Sequence, residues 1–245
     1  MKVLLTVIAI TPPYLFLYNN IFRKSHEFYA KKHGYDFRVI ENMLDYTVNH
    51  ATAFSFQKIL VCSQEWSGQY DYIVCIDADI LINPDSPAIH QCVEFGDKIG
   101  IVDEKQQPEL ELREKYDGTG ADYYKNSGFY VNTRMELNTG VMVFQPRLHG
   151  KFLRYIFDKY INGCITTKLG YHYEQSVVGY QLIVNNMYKI IPGKFNALWG
   201  LSKDIMGESK VPMEKFFKDN YFIHFAGNVD WFSVPNILHK FIPNF

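Results

Sequence analysis

The chain has 245 residues, 47% apolar and 21% charged, the balance of a folded globular protein rather than a disordered one. Its formal net charge of -1 supplies no broad field for nucleic acid or an anionic bilayer. The length admits one large α/β domain, and with no internal repeat or linker in view, residues 1–245 read as a single domain.

Residues 3–10 are rich in β-branched side chains and almost continuously apolar, which predicts a strand covered on both faces. The run is too short for a membrane span and ends at Thr11-Pro12-Pro13 without a small-residue cleavage site. Leu17, Ile21 and Phe28 recur at helical spacing across 14–32, and Gly34 stands where a C-terminal cap belongs. A second strand over 35–40 makes a β-α-β opening, for which a parallel, right-handed crossover is predicted. A helix is expected over 54–66, then a strand over 72–76 that runs straight into Asp77-Ala78-Asp79. Residues 80–82 resume the apolar run. Residues 103–129 are polar and broken by Asp117-Gly118-Thr119-Gly120, which predicts a long mobile loop with little core. Strands over 138–144, 188–191 and 221–225 and helices over 151–160 and 174–184 complete the pattern. The cysteines Cys62, Cys75, Cys92 and Cys164 form no C-x-x-C pair, so thiols in a reducing compartment are expected.

The chemistry concentrates in Y-D-Y-I-V-C-I-D-A-D-I-L-I, residues 70–82. Two acids at i and i+2 share one face, roughly 6.5–7 Å apart on an extended strand. With a slight turn both reach one hydrated divalent cation, which can bridge diphosphate oxygens. Open α/β sheets also bind ligands at the carboxyl ends of their strands. Haloacid-dehalogenase phosphatases use a similar string, but near the start of the domain and with Thr or Val where Leu81 stands here. Nucleotidyltransferases need a glycine-rich basic loop where this chain has Thr11-Pro12-Pro13-Tyr14.

Three further motifs lie downstream. His224 closes the apolar run of Y-F-I-H-F-A-G, residues 221–227, as a third metal ligand or a satisfied core histidine. A carboxylate–imidazole set favours Mn²⁺, with Mg²⁺ the alternative. L-N-T-G-V-M-V-F, residues 137–144, puts Asn138 and Gly140 at a strand mouth, suited to hydroxyl contacts and close ligand approach, or to a plain turn. Y-E-Q-S-V-V-G-Y, residues 173–180, opens a helix with Glu174 and Gln175, where the acid also serves the helix dipole.

In this order the motifs resemble retaining GT-A glycosyltransferases, among them the glycogenin and lipopolysaccharide galactosyltransferase family and the yeast galactosyl/mannosyltransferase and xyloglucan xylosyltransferase family. The resemblance runs from residue 2 to about residue 231. It implies an α/β fold with a Rossmann-like, mostly parallel mixed sheet flanked by helices. It implies Mn²⁺ on Asp77, Asp79 and His224, and a nucleotide base held by Thr11 with Tyr14 as stacking partner. Lys58 and Gly227 match donor-binding positions, Asn138 and Gly140 the donor-sugar contact, and Glu174 and Gln175 the pair beneath the anomeric carbon. One departure stands out. The relatives carry a lysine after H-x-x-G, where this chain has Asn228, Val229, Asp230 and Trp231. Lys203, Lys194 or Arg134 is the expected substitute.

The resemblance thus implies sugar transfer from a nucleotide-sugar, UDP-linked first and GDP-linked second, to a glycan or glycolipid hydroxyl with retention. An inverting enzyme with Glu174 or Asp230 as base, a metal-dependent phosphohydrolase and an inactive carbohydrate-binding module are the rivals. A cytoplasmic protein of bacterial or viral origin is expected, with no transmembrane segment and no nucleic-acid partner. Its 232–245 tail is read as docked on the core, with peripheral membrane contact as the other option.

Overall fold

The computed structural model describes residues 1–48, 53–165, 173–206, 211–228, 234, 235 and 239. β1 (Val3–Ile8) is followed by α1 (Pro12–Ile21), α2 (Arg23–His33) and β2 (Asp36–Ile40). Two 3₁₀ segments, Ser55–Ser63 and Glu65–Gln69, lead into β3 (Tyr72–Asp77) and the short β4 (Ile80–Ile82). Next come β5 (Ile99–Asp103), α3 (Leu110–Asp117), α4 (Gly120–Asn126), β6 (Leu137–Phe144) and α5 (Pro146–Tyr160). After α6 (Glu174–Val184) come β7 (Tyr188–Ile190), β8 (Ala197–Leu198), α7 (Trp199–Met206), α8 (Met213–Asp219) and β9 (Phe222–His224).

Six strands form the main sheet in the order β2-β1-β3-β6-β5-β7, and only β6 runs against the others. The predicted parallel pairing of β1 with β2 is present. A second sheet, β4-β9-β8, sits at the carboxyl end of β3. The continuous apolar runs follow from burial on both faces. Val3, Leu5, Val7, Val74 and Ile76 face one core with Tyr18, Phe22 and Tyr29. Leu4, Ile73, Cys75, Met142 and Phe144 face the other, beneath Phe56–Cys62 and the inner sides of α5 and α6.

Three expectations are corrected. The helix expected over 14–32 is two helices that turn at the fully buried Phe22, whose ring packs 5.9 Å from that of Phe225. Gly34 caps the second as predicted, its N–H directed at the Ala30 and Lys31 carbonyls. The segment 54–66 is 3₁₀ rather than α-helical, and every residue from Phe56 to Cys62 is buried. Residues 103–129 are folded onto the core. They hold α3, α4 and the buried Lys105, Arg113 and Tyr124, with Thr119 and Asp122 closing a capping box at the start of α4.

Among the described residues no helix is long and apolar enough to cross a membrane. Of the 232–245 tail, Val234, Pro235 and His239 are described, and Val234 is buried in the first core.

Candidate active site

The acid pair is delivered by strand pairing. Asp77 ends β3 opposite Ile8 of β1, and the chain turns at once into β4. β4 runs antiparallel to β9 with Ile80 opposite His224, and the Phe225 N–H donates to the Asp79 carbonyl at 3.0 Å. Those contacts set one ligand atom each from Asp77, Asp79 and His224 within 4.8 Å of one another. His224 Nε2 stands 3.3 Å from Asp79 Oδ1 and 3.8 Å from Asp77 Oδ2.

The tautomer of His224 follows from one backbone amide. The Gly140 N–H donates to Asn138 Oδ1 at 2.8 Å, so that atom must be the oxygen. Asn196 Nδ2 donates to the same oxygen at 2.6 Å, which turns Asn196 Oδ1 toward His224 Nδ1, 2.9 Å away. Nδ1 therefore carries a proton and Nε2 faces the carboxylates, the orientation a metal-binding imidazole takes from its outer partner. Gly140 makes the approach sterically feasible. A Cβ there would stand 2.5 Å from Cε1 and 2.7 Å from Nδ1 of the ring.

Buried Lys58 occupies the other flank of Asp77. Its ammonium bonds Asp77 Oδ1, pairs with Glu174 Oε1 at 2.9 Å and donates to the Thr139 carbonyl at 3.4 Å. Glu174 also accepts the Thr139 hydroxyl at 2.6 Å. Burial alone would lower the Lys58 pKa, but Asp77 and Glu174 outweigh it and hold the ammonium charged. For Glu174 burial pulls upward, and Lys58 with the hydroxyls of Thr139 and Ser55 brings the carboxyl below its ordinary value. Glu174 is thus an ionised and fully engaged anion. Burial pushes Asp77 upward despite Lys58, with Asp79 adding to the push. Asp79 is drawn down against burial by His224, and the histidine is raised against burial by Asp79.

Whether these residues suit a cation can be tested on their own atoms. Asp77, Asp79 and Glu174 set three acids against one ammonium, with the His224 imidazole beside Asp79. Asp79 Oδ1 is buried and takes no hydrogen bond, which is costly for a carboxylate oxygen. An oriented imidazole, an orphaned carboxylate oxygen and an excess of acids over ammonium groups fit a divalent cation.

The group opens on a cavity of about 620 Å³, the size of a nucleotide-scale pocket. Thr11, Tyr14, Lys58, Asp77, Asp79, Asn138, Glu174, Gln175, His224 and Gly227 all line it. Gly140 lies behind this wall, filled over by the His224 ring. Thr11 has φ +83°, a region that β-branched residues rarely enter, and such strain clusters at ligand sites. Gly227 has φ +77°, where glycine is at home. Burial and then the charges of Asp79 and Asp77 keep the Tyr14 phenol protonated, as a donor beside the acids. Gln175 Nε2 donates to Glu104 Oε2 at 3.3 Å and Tyr123 Oη at 3.2 Å, which leaves its carbonyl oxygen for a ligand.

Two of the three cations expected to replace the missing lysine are engaged elsewhere. Arg134 makes a bidentate pair with Glu114 at the surface, and Lys194 sits 5.7 Å over the Tyr221 ring. The Lys203 side chain and residues Val229, Asp230 and Trp231 lie outside what the structure describes. Sequence reasoning missed Ser55, Thr139, Asn196, Glu104 and Tyr123. Ser55 and Thr139 sit inside or beside recognised motifs, whereas nothing local marks Asn196 or Glu104.

No protein-family profile and no curated protein matches the sequence. Solved structures do. A glycosyltransferase involved in glycosylation of the major capsid of PBCV-1 superposes with a TM-score of 0.61 at 15% identity, over 95% of this chain and 98% of that one. The WbbM bifunctional glycosyltransferase gives 0.61 at 15% identity, over 93% of this chain and 46% of its own. The galactosyltransferase LgtC, solved with donor and acceptor sugar analogues, gives 0.61 at 10% identity, over 99% and 96%. A second LgtC structure carries an active-site glutamine changed to glutamate. The chain has the GT-A fold of these glycosyltransferases.

Proposed function

We propose that this protein is a metal-dependent glycosyltransferase that moves a sugar from a nucleotide-sugar, UDP-linked first and GDP-linked second, to a glycan or glycolipid hydroxyl with retention. The observation that carries the reading is the convergence of Asp77, Asp79 and an oriented His224 on the wall of the cavity that also holds Gln175. Asp77, Asp79 and His224 would hold the cation, Mn²⁺ by preference for the mixed carboxylate–imidazole set. When bound, such a cation binds the donor diphosphate and neutralises the charge of the departing nucleotide.

The remaining work falls to side chains. Thr11 and Tyr14 sit at the end of β1, where the base and its phosphates would lie. Lys58 holds Asp77 and Glu174 in place and has no donor left over for the diphosphate. Of the two catalytic candidates, the geometry favours Gln175. Glu174 is neutralised by Lys58 and its oxygen is engaged by Thr139, so it serves poorly as nucleophile or base. The Gln175 carbonyl stabilises the positive charge that develops at the anomeric carbon as the glycosidic bond breaks. The acceptor hydroxyl attacks on the same face, and its proton passes to the leaving phosphate. An active-site glutamine in the similar LgtC is consistent with this role. The same neutralisation counts against Glu174 as the base of an inverting enzyme.

A thermal-shift screen of nucleotide-sugars with Mn²⁺ identifies the donor, and NMR of the product reads its anomeric configuration. Stabilisation by one nucleotide-sugar only when Mn²⁺ is present supports the reading. Release of phosphate from simple esters without any acceptor would replace it with a phosphohydrolase.

A further inference from the structure

The 103–107 segment, expected from its polarity to open a mobile loop, is the scaffold on which the amides of the cavity hang. Glu104 follows β5 directly, and its N–H donates to the Glu136 carbonyl at 2.7 Å, which fixes the backbone at this point. Its side chain is buried. Oε2 accepts from Asn138 Nδ2 at 2.7 Å and from Gln175 Nε2 at 3.3 Å, while Oε1 pairs with Arg113 Nη2 of α3 at 3.3 Å. Three residues on, Gln107 clamps the neighbouring strand end. Its Nε2 donates to the Asn196 carbonyl at 2.9 Å and its Oε1 accepts the Leu198 N–H at 3.0 Å.

A primary amide presents a donor and an acceptor on opposite sides, so a strong acceptor on one side decides which way it points. For Asn138 the decision is already made by the Gly140 N–H. For Gln175 the fixed partner is Glu104, because the Tyr123 hydroxyl can rotate to donate or accept and settles nothing. Without a carboxylate there, the Gln175 amide could turn and bring its NH₂ to the place where positive charge develops. An N–H donor is the wrong group for that place.

The geometry points to Glu104 as a positioning residue that fixes the Gln175 amide with its carbonyl toward the cavity, held in turn by Arg113 from α3. This inference rests on the functional reading of Gln175 given above. It assigns α3 a role in aligning the reacting centre, although no residue of α3 lines the cavity.

Two variants separate the acceptor from the charge. Glu104→Gln and Glu104→Met both remove the negative charge facing Arg113, so they share that structural cost. Only the glutamine keeps an oxygen that can receive the Gln175 amide. With wild-type protein and the donor and acceptor found by screening, kcat in E104M is expected to fall about tenfold or more below that of E104Q, the size of effect seen when an outer-shell partner is lost. The donor KM should be similar in the two. In ¹⁵N-labelled protein the Gln175 side-chain amide pair, identified by its loss in Gln175→Ala, should move further in E104M than in E104Q. This readout needs no turnover. Amide signals that stay at the wild-type position in E104M, or equal kcat in the two variants, would overturn the positioning role. Full transfer by Gln175→Ala would instead remove the functional reading of Gln175, and the positioning role with it, whatever the amide signals do.

Discussion

Two clusters of charge flank the cavity, each with buried members, and they are built on different terms. Lys105, Arg113, Glu104, Asp117 and Glu136 pair with one another, with Arg113 Nε left without a hydrogen-bond partner. Lys105 Nζ is 2.7 Å from Asp117 and 3.3 Å from Glu136, and Arg113 joins Asp117 at 2.9 Å and Glu104 at 3.3 Å. Burial and the neighbouring Glu104 push the Glu136 carboxyl up to about 8, so at neutral pH two cations face two anions. The second cluster, Asp77, Asp79, Glu174 and Lys58, sets three acids against one ammonium and converges with His224 on the cavity wall. The lesson of the contrast is that burial of charge alone does not mark a site. An imbalance at the mouth of a cavity does.

The contrast can be broken in four ways. The largest effect belongs to Asp79→Asn, which should lower transfer about a thousandfold, the several kcal/mol expected of a lost Lewis acid. The metal-free variant loses the attraction between Asp79 and His224 and should melt slightly below wild type; a sharp loss of stability would show that the pair holds the fold.

The balanced cluster should answer in stability. Arg113→Met strands the buried Glu104 without its cationic partner, while Asp117 keeps Lys105, and should cost about 3 kcal/mol in denaturant unfolding. A variant as stable as wild type would mean that the pairs are solvated.

Protonation gives a third handle. Burial pushes the His26 imidazole down to about 4, although its bond to the Ile80 carbonyl works the other way. Between about pH 6.5 and about 4 the unfolded chain takes up a proton there and the folded chain does not, so stability falls as pH falls, by up to about 3 kcal/mol. Burial lowers His33, His90 and His149 as well, in the same direction. Melting temperature followed from pH 7 to 4.5 should fall, and less so in His26→Gln.

The smallest effect is Gly140→Ala. The new methyl would press on the His224 ring and weaken Mn²⁺ binding about tenfold, as displacement of a ligand's outer support does. Electron paramagnetic resonance of free Mn²⁺ measures it, and unchanged affinity would show that the ring relaxes at no cost.

The sheet was readable because its strands are buried on both faces, so their apolar runs stand out. The same total burial hid the geometry of 54–66. With every side chain from Phe56 to Cys62 buried, no polar face remained to tell a 3₁₀ from an α period. Residues 103–129 misled for a different reason. Their charges are satisfied by pairs such as Lys105 with Asp117 and Arg113 with Glu104, and pairing leaves no periodic signature. The capping box at Thr119 and Asp122 was open to view between the glycines. Asp77, Asp79 and His224 were legible because each closes an apolar run. Asn196 and Glu104 were not, since their partners lie 28–58 and 9–71 residues away in the chain and only the folded sheet brings them together.

The central claim is that the excess of acids at Asp77 and Asp79 exists to bind a cation together with a nucleotide diphosphate. Calorimetric titration of UDP into the wild-type protein and into Asp79→Ala, each with Mn²⁺ and with EDTA, tests it directly. The account predicts binding only in the wild-type protein with Mn²⁺. Equal UDP affinity with EDTA, or in Asp79→Ala, would contradict it.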